Sequence, residues 1–193
     1  MIFKVISILE MAAFYTCYFA KMIAQKKKGI QTDQMGKGKE GFVKFVEITL
    51  KGVTFIVPIV ELVSIILCNP SLPVIIQWCG AVIGAFGVMV FIISVVTMKD
   101  SWRAGVLEKE KTELITSGIY QISRNPAFLG FDLLYIGILL MVFNWILLVI
   151  SVFAMMMFHL QIVNVEEDFL IATFGEEYIS YKDKVCRYIG RKR

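Results

Sequence analysis

A chain of 193 residues that is 58% hydrophobic and 19% charged, with a mean hydropathy of +0.72, carries more apolar side chain than a water-soluble domain of its size can bury. That excludes a soluble enzyme, and the net charge of +4 needs no nucleic-acid partner, since basic loops beside anionic lipid headgroups account for it. Four cysteines without a Cys-x-x-Cys spacing and a single histidine, His159, supply too few ligands for a protein-bound zinc or iron site, so no metal is expected.

Five apolar segments, at about residues 2–23, 46–68, 74–98, 127–143 and 145–165, each approach the roughly 20 residues that cross a bilayer core. The first is long enough to span and lacks a small-residue cleavage site, so it reads as a retained helix rather than a signal peptide. Ahead of the second, Phe42, Phe45, Val46, Thr49 and Leu50 recur at helical spacing while Lys44, Glu47 and Lys51 fill the other face, which predicts an interfacial helix leading into the span. Gly80, Gly84 and Gly87 in the third span predict close helix packing, because absent side chains let backbones approach. Glu10 and Glu61 are expected to make polar contacts inside the bundle, and Cys68 and Cys79 to be packing residues.

Past the third span the chain turns polar, with Ser101-Trp102-Arg103 and then Gly118 to Gly130. Within the latter, Arg124-Asn125-Pro126 marks a helix start, because proline has no amide hydrogen to donate backwards and its fixed φ suits a first turn. Asp132 lies six residues further on, about 9 Å into the fourth span by helix rise, where an ionisable group is a functional candidate: a general base, or a counter-charge for an amine. Only Asn144 separates the last two spans, which predicts a tight helical hairpin. His159, on the apolar fifth span, reads as a hydrogen-bonded core residue. The adjacent acids Glu166 and Glu167 emerge just beyond it, costly near hydrocarbon unless partnered by ribose hydroxyls, an amino group, a sulfonium, or an arginine such as Arg103 or Arg124. Gly175 reads as a helix cap, with a short helix over 176–185 carrying Tyr178 and Tyr181.

Charge orients the bundle. Every lysine and arginine except Lys4 lies at the inner end of the first span, around the first and third loops (Lys109 and Lys111 among them) or in the tail that ends at Arg193. The positive-inside rule therefore predicts an outside N-terminus, a cytosolic C-terminus and working loops that face the cytosol. The expected fold is all-α and integral to the membrane, with about five transmembrane helices and short cytosolic C-terminal helices. It forms one domain over residues 1–193, with a three-helix scaffold over 1–98 and a catalytic half over 99–193.

In order and at matching spacing, Ser101, Trp102, Gly118, Tyr120, Arg124, Pro126, Gly130, Glu166, Glu167, Leu170, Phe174, Gly175, Tyr178 and Tyr181 reproduce a known pattern. The region from Met98 to Ile189 resembles the isoprenylcysteine carboxyl methyltransferase and phospholipid methyltransferase group of integral-membrane enzymes. Asn125 stands where that pattern has histidine, Phe128 where it has tyrosine, and no arginine directly precedes the paired glutamates. The resemblance implies S-adenosylmethionine as cofactor, held by Trp102, Leu114, Gly118, Tyr120, Asn125, Pro126, Phe128, Glu166, Glu167 and Tyr178. Arg124, Glu167 and Asp132 are the catalytic candidates. The implied reaction is methyl transfer to a lipophilic acceptor from the bilayer, with a prenylated carboxylate or thiol and a phospholipid amine all open. Membrane lipids are the other expected partner. Two readings from other classes stand beside it: an NADPH-dependent membrane reductase of the steroid-reductase type, for which few basic residues lie near the motifs, and a non-catalytic membrane protein on the same scaffold.

Overall fold

The computed structural model describes residues 1–68, 71–105 and 113–192. Lys109, Lys111 and Arg193 of the basic loops and tail lie outside that set. Seven α-helices follow one another: α1 (Ile2–Lys27), α2 (Gly41–Leu67), α3 (Val74–Met98), α4 (Pro126–Met141), α5 (Trp145–Gln161), α6 (Glu167–Phe174) and α7 (Glu176–Lys184). Short 3-10 turns cover Lys99–Ser101 and Gly118–Gln121, and a π-helical turn at Ile162–Glu166 joins α5 to α6.

Among the described residues, four helical segments are long and apolar enough to cross a bilayer, and α4, at 16 residues, is a shorter apolar helix. α4 coincides with the fourth expected span to within two residues at either end. Leu134, Tyr135, Ile138 and Met141 are fully buried, so α4 is packed among the other helices. Outward-facing residues of the longer helices, such as Trp145, Ile146 and Val82, are about 70% exposed, a surface that suits hydrocarbon and not water. The helix expected at the membrane surface before the second span is instead the first turns of α2, one continuous helix, and Glu47 is fully buried rather than on a polar face.

Local sequence sets the boundaries. Pro126 occupies the first turn of α4. Asn144 caps α5 by accepting from the Leu147 amide at 2.9 Å, and its Nδ2 donates to Ser64 Oγ at 2.8 Å, which ties the hairpin to α2. Gly175, at φ +52, ends α6 and starts α7.

The closest packing in the bundle joins α3 to α4 through facing glycines. A methyl group at Gly137 would stand 2.5 Å from the Gly84 Cα and 2.7 Å from the Gly80 carbonyl oxygen, and one at Gly130 would meet the Gly87 oxygen at 3.0 Å. Aromatic rings join α1 to this pair: Phe14 stacks on Phe91 with centroids 4.1 Å apart and meets Phe131 edge to face at 4.7 Å. On the other side, α2 packs on α5 through Val46, Leu50, Val53 and Val57 against Ala154, Met157 and Phe158. With α1 leaning on α3 and α2 leaning on α5, space is left between the first two helices. All four cysteines are free thiols.

Replacing Gly137 with alanine forces α3 and α4 apart, whereas the same change at Gly52, where a methyl group meets nothing within 4 Å, does not. Thermal unfolding in detergent should show G137A destabilised by about 1–3 kcal/mol and G52A unchanged or slightly raised.

Candidate active site

The adjacent glutamates point apart, as neighbouring residues on a helix do, where the π-helical turn Ile162–Glu166 passes into α6. Glu166 faces a cavity. Glu167, whose side chain is 5% exposed, points into a cluster of cations: Arg187 Nε at 2.7 Å, Arg124 Nη1 at 3.1 Å and Lys182 Nζ at 3.1 Å. One carboxylate meets three positive groups, so the cluster keeps a surplus of positive charge. The hydrogen bond to Glu167 pushes the Arg187 guanidinium pKa up still further, so Arg187 is charged throughout the accessible pH range.

Arg124, itself buried, is held on three sides. Its Nη1 also donates to the Tyr178 hydroxyl at 2.7 Å, its Nε to the Val185 carbonyl at 3.1 Å, and its guanidinium lies 5.9 Å from the Tyr178 ring centroid. Burial raises the phenol pKa values of Tyr120, Tyr178 and Tyr181, so these rings stay neutral. The Tyr181 hydroxyl donates to the Tyr120 carbonyl at 2.6 Å, and the Tyr120 hydroxyl pairs with Ser94 Oγ at 2.8 Å.

After α7 the tail folds back as a strap across the start of α4. The Arg124 amide donates to the Cys186 carbonyl at 3.1 Å, Asn125 Nδ2 to the Arg187 carbonyl at 3.1 Å, and the Gly190 amide to the Ile122 carbonyl at 2.8 Å. Arg187 and Lys182 were legible in the sequence only as basic tail charge. Their pairing with Glu167 carries no local pattern, since the partners are separated along the chain and meet only when the tail returns.

The cavity has a volume of about 750 Å³, within the range of roughly 300–1,000 Å³ typical of small-molecule sites. Its polar end is lined by Trp102, Arg103, Tyr120, Arg124, Asn125, Glu166, Tyr178 and Tyr181, together with Leu114. Its other end runs between α1 and α2 past Phe19, Phe55, Pro58 and Ile59 to a floor of Phe131 and Phe158. Phe55 is 71% exposed and Phe19 54%, so this arm opens on the side of the bundle that faces lipid.

A clasp roofs the polar end. The Gln34 amide donates to the Ala104 carbonyl at 2.8 Å and the Ala104 amide to the Thr32 carbonyl at 3.0 Å. Buried Gln25 accepts from Thr32 Oγ1 at 2.6 Å and donates to the Trp102 carbonyl at 2.8 Å. Lys28 pairs with Asp100 at 2.7 Å, and Lys51 pairs with Asp33. Gly105, at φ +82, lies so close to Met35 that a methyl group would stand 2.9 Å from its nitrogen. The cavity therefore draws its walls from both halves of the chain.

Of the residues singled out from the sequence, Trp102, Leu114, Tyr120, Arg124, Asn125, Phe128, Glu166 and Tyr178 line this one cavity. Gly118, Pro126, Glu167 and Asp132 are not among its lining residues. Gly118 takes φ +60 against Thr97 and shapes the preceding turn, Pro126 starts α4, and Glu167 holds Arg124 from behind. Asp132 stands within electrostatic reach of Tyr188 and Tyr135, and its Oδ1 is buried with no hydrogen-bond partner. His159 is exposed rather than in the core, and its Nδ1 meets the Tyr188 hydroxyl at 2.7 Å. Among the described residues no group of three potential ligands gathers for a metal.

A model of the phospholipid methyltransferase family matches residues 75–177, just over half the chain. The chain is 43% identical over 72 residues to the protein-S-isoprenylcysteine O-methyltransferase of Saccharomyces cerevisiae, covering 37% of this chain and 30% of that protein. It is 31% identical over 110 residues to the enzyme of that name in Dictyostelium discoideum (56% and 46%), and 36% identical over 83 residues to that of Mus musculus (42% and 29%). The chain thus matches less than half the length of each of these relatives.

Removing the charge of Glu167 leaves Arg124 buried without its carboxylate. E167Q should therefore lower unfolding stability in detergent by about 3 kcal/mol, while E166Q, which breaks no ion pair, should leave it within about 1 kcal/mol of the parent.

Proposed function

Because the chain belongs to the phospholipid methyltransferase family, we propose that it transfers a methyl group from S-adenosylmethionine to an anionic, lipophilic acceptor drawn from the bilayer. The names of its relatives point to a prenylated cysteine carboxylate as the model acceptor. The observation that carries the reading is one cavity with a polar, aromatic-lined end and an apolar end that opens between α1 and α2.

The residues at the polar end fit the cofactor. Neutral rings of Trp102, Tyr120, Tyr178 and Tyr181 suit a sulfonium, with a cation–π attraction of about 0.5–2 kcal/mol each according to desolvation. Glu166 offers acceptors to ribose hydroxyls or an ammonium, and Arg124 and Asn125 offer donors to a carboxylate. Leu114 and Phe128 complete the wall. When bound, S-adenosylmethionine supplies an electrophilic methyl group. What the chain supplies is position: the clasp and the tail strap exclude water, and the convergent walls hold the acceptor atom in line with that methyl group. Gly118 and Pro126 act by shaping the turn on either side of Arg124, and Glu167 acts by fixing Arg124.

An anionic acceptor asks less of this site than an amine does. Arg124, the member of the ion cluster that lines the cavity, offers a carboxylate or thiolate a positive partner. An ammonium would also have to shed a proton first, and Asp132, the base that the sequence offered, does not line the cavity. With the basic loops on the cytosolic side, the donor reaches the polar end from the cytosol and the acceptor reaches the apolar end from the membrane.

Calorimetry on detergent-purified protein tests the cofactor. S-adenosylmethionine and S-adenosylhomocysteine should bind, E166Q should weaken both by about tenfold or more, and NADPH should not bind; NADPH binding in place of the methyl donor would sink the reading. Turnover of a prenylated cysteine by labelled donor should be nearly flat from about pH 6 to 9, because a carboxylate with pKa near 3–4 is already ionised there, whereas an amine acceptor would give a rate that climbs with pH.

A further inference from the structure

Glu47 lies on α2, outside the part of the chain matched by the family model, and is fully buried. A carboxylate shut away at the edge of a membrane bundle is retained only where it is partnered. Glu47 makes no salt bridge among the described residues. Its Oε2 accepts the Gly36 amide at 2.6 Å, and its Oε1 receives Gln161 Nε2 at 3.5 Å. Gly36 has φ +74 and lies against Ile48, where a side chain would be strained, so glycine is what lets this amide point down onto the carboxylate.

The two partners lead in opposite directions. The three residues before Gly36, Asp33, Gln34 and Met35, are cavity wall, so the Gly36 anchor sets where that wall stands. Gln161 is fully buried at the last turn of α5, immediately before the π-helical turn that ends in Glu166, so it stands one π-helical turn from that acid. Two hydrogen bonds, from Gly36 and Gln161 to Glu47, and the π-helical turn from Gln161 to Glu166 therefore join the wall over the cavity to the acid in its polar end.

We infer that Glu47 is a positioning residue that couples closure of the Asp33–Gly36 wall to the placement of Glu166, so that occupancy at Glu166 and ordering of the wall are one event. This rests on the methyl-donor reading of the cavity. The inference concerns a residue that touches neither donor nor acceptor. Its effect runs through hydrogen bonds that one substitution at either end removes.

Limited trypsin digestion of the full-length protein in detergent reads the wall directly, because Lys37 and Lys39 follow Gly36. In the parent protein, S-adenosylhomocysteine should slow cleavage at these lysines several-fold. E47A should raise ligand-free cleavage there by about tenfold, abolish protection, and weaken S-adenosylhomocysteine binding by about tenfold, with donor KM rising more than kcat falls. E47Q, which can still accept the Gly36 amide, should recover part of the loss. G36A keeps Glu47 and breaks only the wall contact, so it should reproduce the lost protection and serves if E47A does not fold. Parent-like cleavage, protection and donor affinity in E47A and G36A would overturn the coupling. So would faster cleavage with donor affinity unchanged, since the wall would then be anchored independently of Glu166. Absence of donor binding in the parent would instead overturn the methyl-transfer reading, and the coupling with it, and the parent measurement tells these failures apart.

Discussion

The meeting of Arg124, Arg187 and Lys182 on Glu167 is the interaction around which the rest of the site is arranged. It joins four stretches of chain, the turn before α4, the start of α6, the end of α7 and the returning tail. A buried carboxylate is costly without a cation, and a buried guanidinium is costly without an anion, so each group fixes the other where neither would stand alone. Of the cluster, Arg124 is the member that also lines the cavity, so the ion pair fixes a charged group of the cavity wall. Structure and electrostatics are here the same contact.

The bilayer explains the remainder of the architecture. Without water to drive helices together, α3 and α4 associate by backbone approach at Gly84 and Gly137, and this contact sets α4 in the middle of the bundle. With α1 drawn to α3 and α2 drawn to α5, the opening between α1 and α2 is left as the apolar arm. The clasp between residues 32–36 and 102–105 closes the same space at its polar end. A cavity open to lipid at one side and roofed by polar backbone at the other follows from those pairings.

Several features were readable residue by residue. The spans followed from hydropathy, the start of α4 from Pro126, the end of α6 from Gly175, and the α3 packing face from three glycines. Motif spacing picked out Trp102, Tyr120, Arg124, Glu166 and Tyr178, which share one cavity. The errors came where a local pattern was asked to report a distant contact. Glu47 repeated at the spacing of a polar face yet is buried, because its partners are Gly36 and Gln161. Asp132 stood at a plausible depth for a base but is not part of the cavity wall. Glu166 and Glu167 looked alike in the sequence, yet one faces the cavity and the other the ion cluster.

Hydropathy, helix punctuation and charge bias act within a turn or a span, and so the amino-acid order by itself determined a membrane helix bundle, its element boundaries and the group of residues gathered at one end. Which side chains share a partner depends on chain segments tens of residues apart, 62 between Asn125 and Arg187 and 77 between Gln25 and Trp102, and only the tertiary structure decided it. The tail strap, the clasp from the α1–α2 loop and the divergence of the two glutamates belong to that second class. Their energies come from desolvated pairs, and desolvation exists only after the helices have packed.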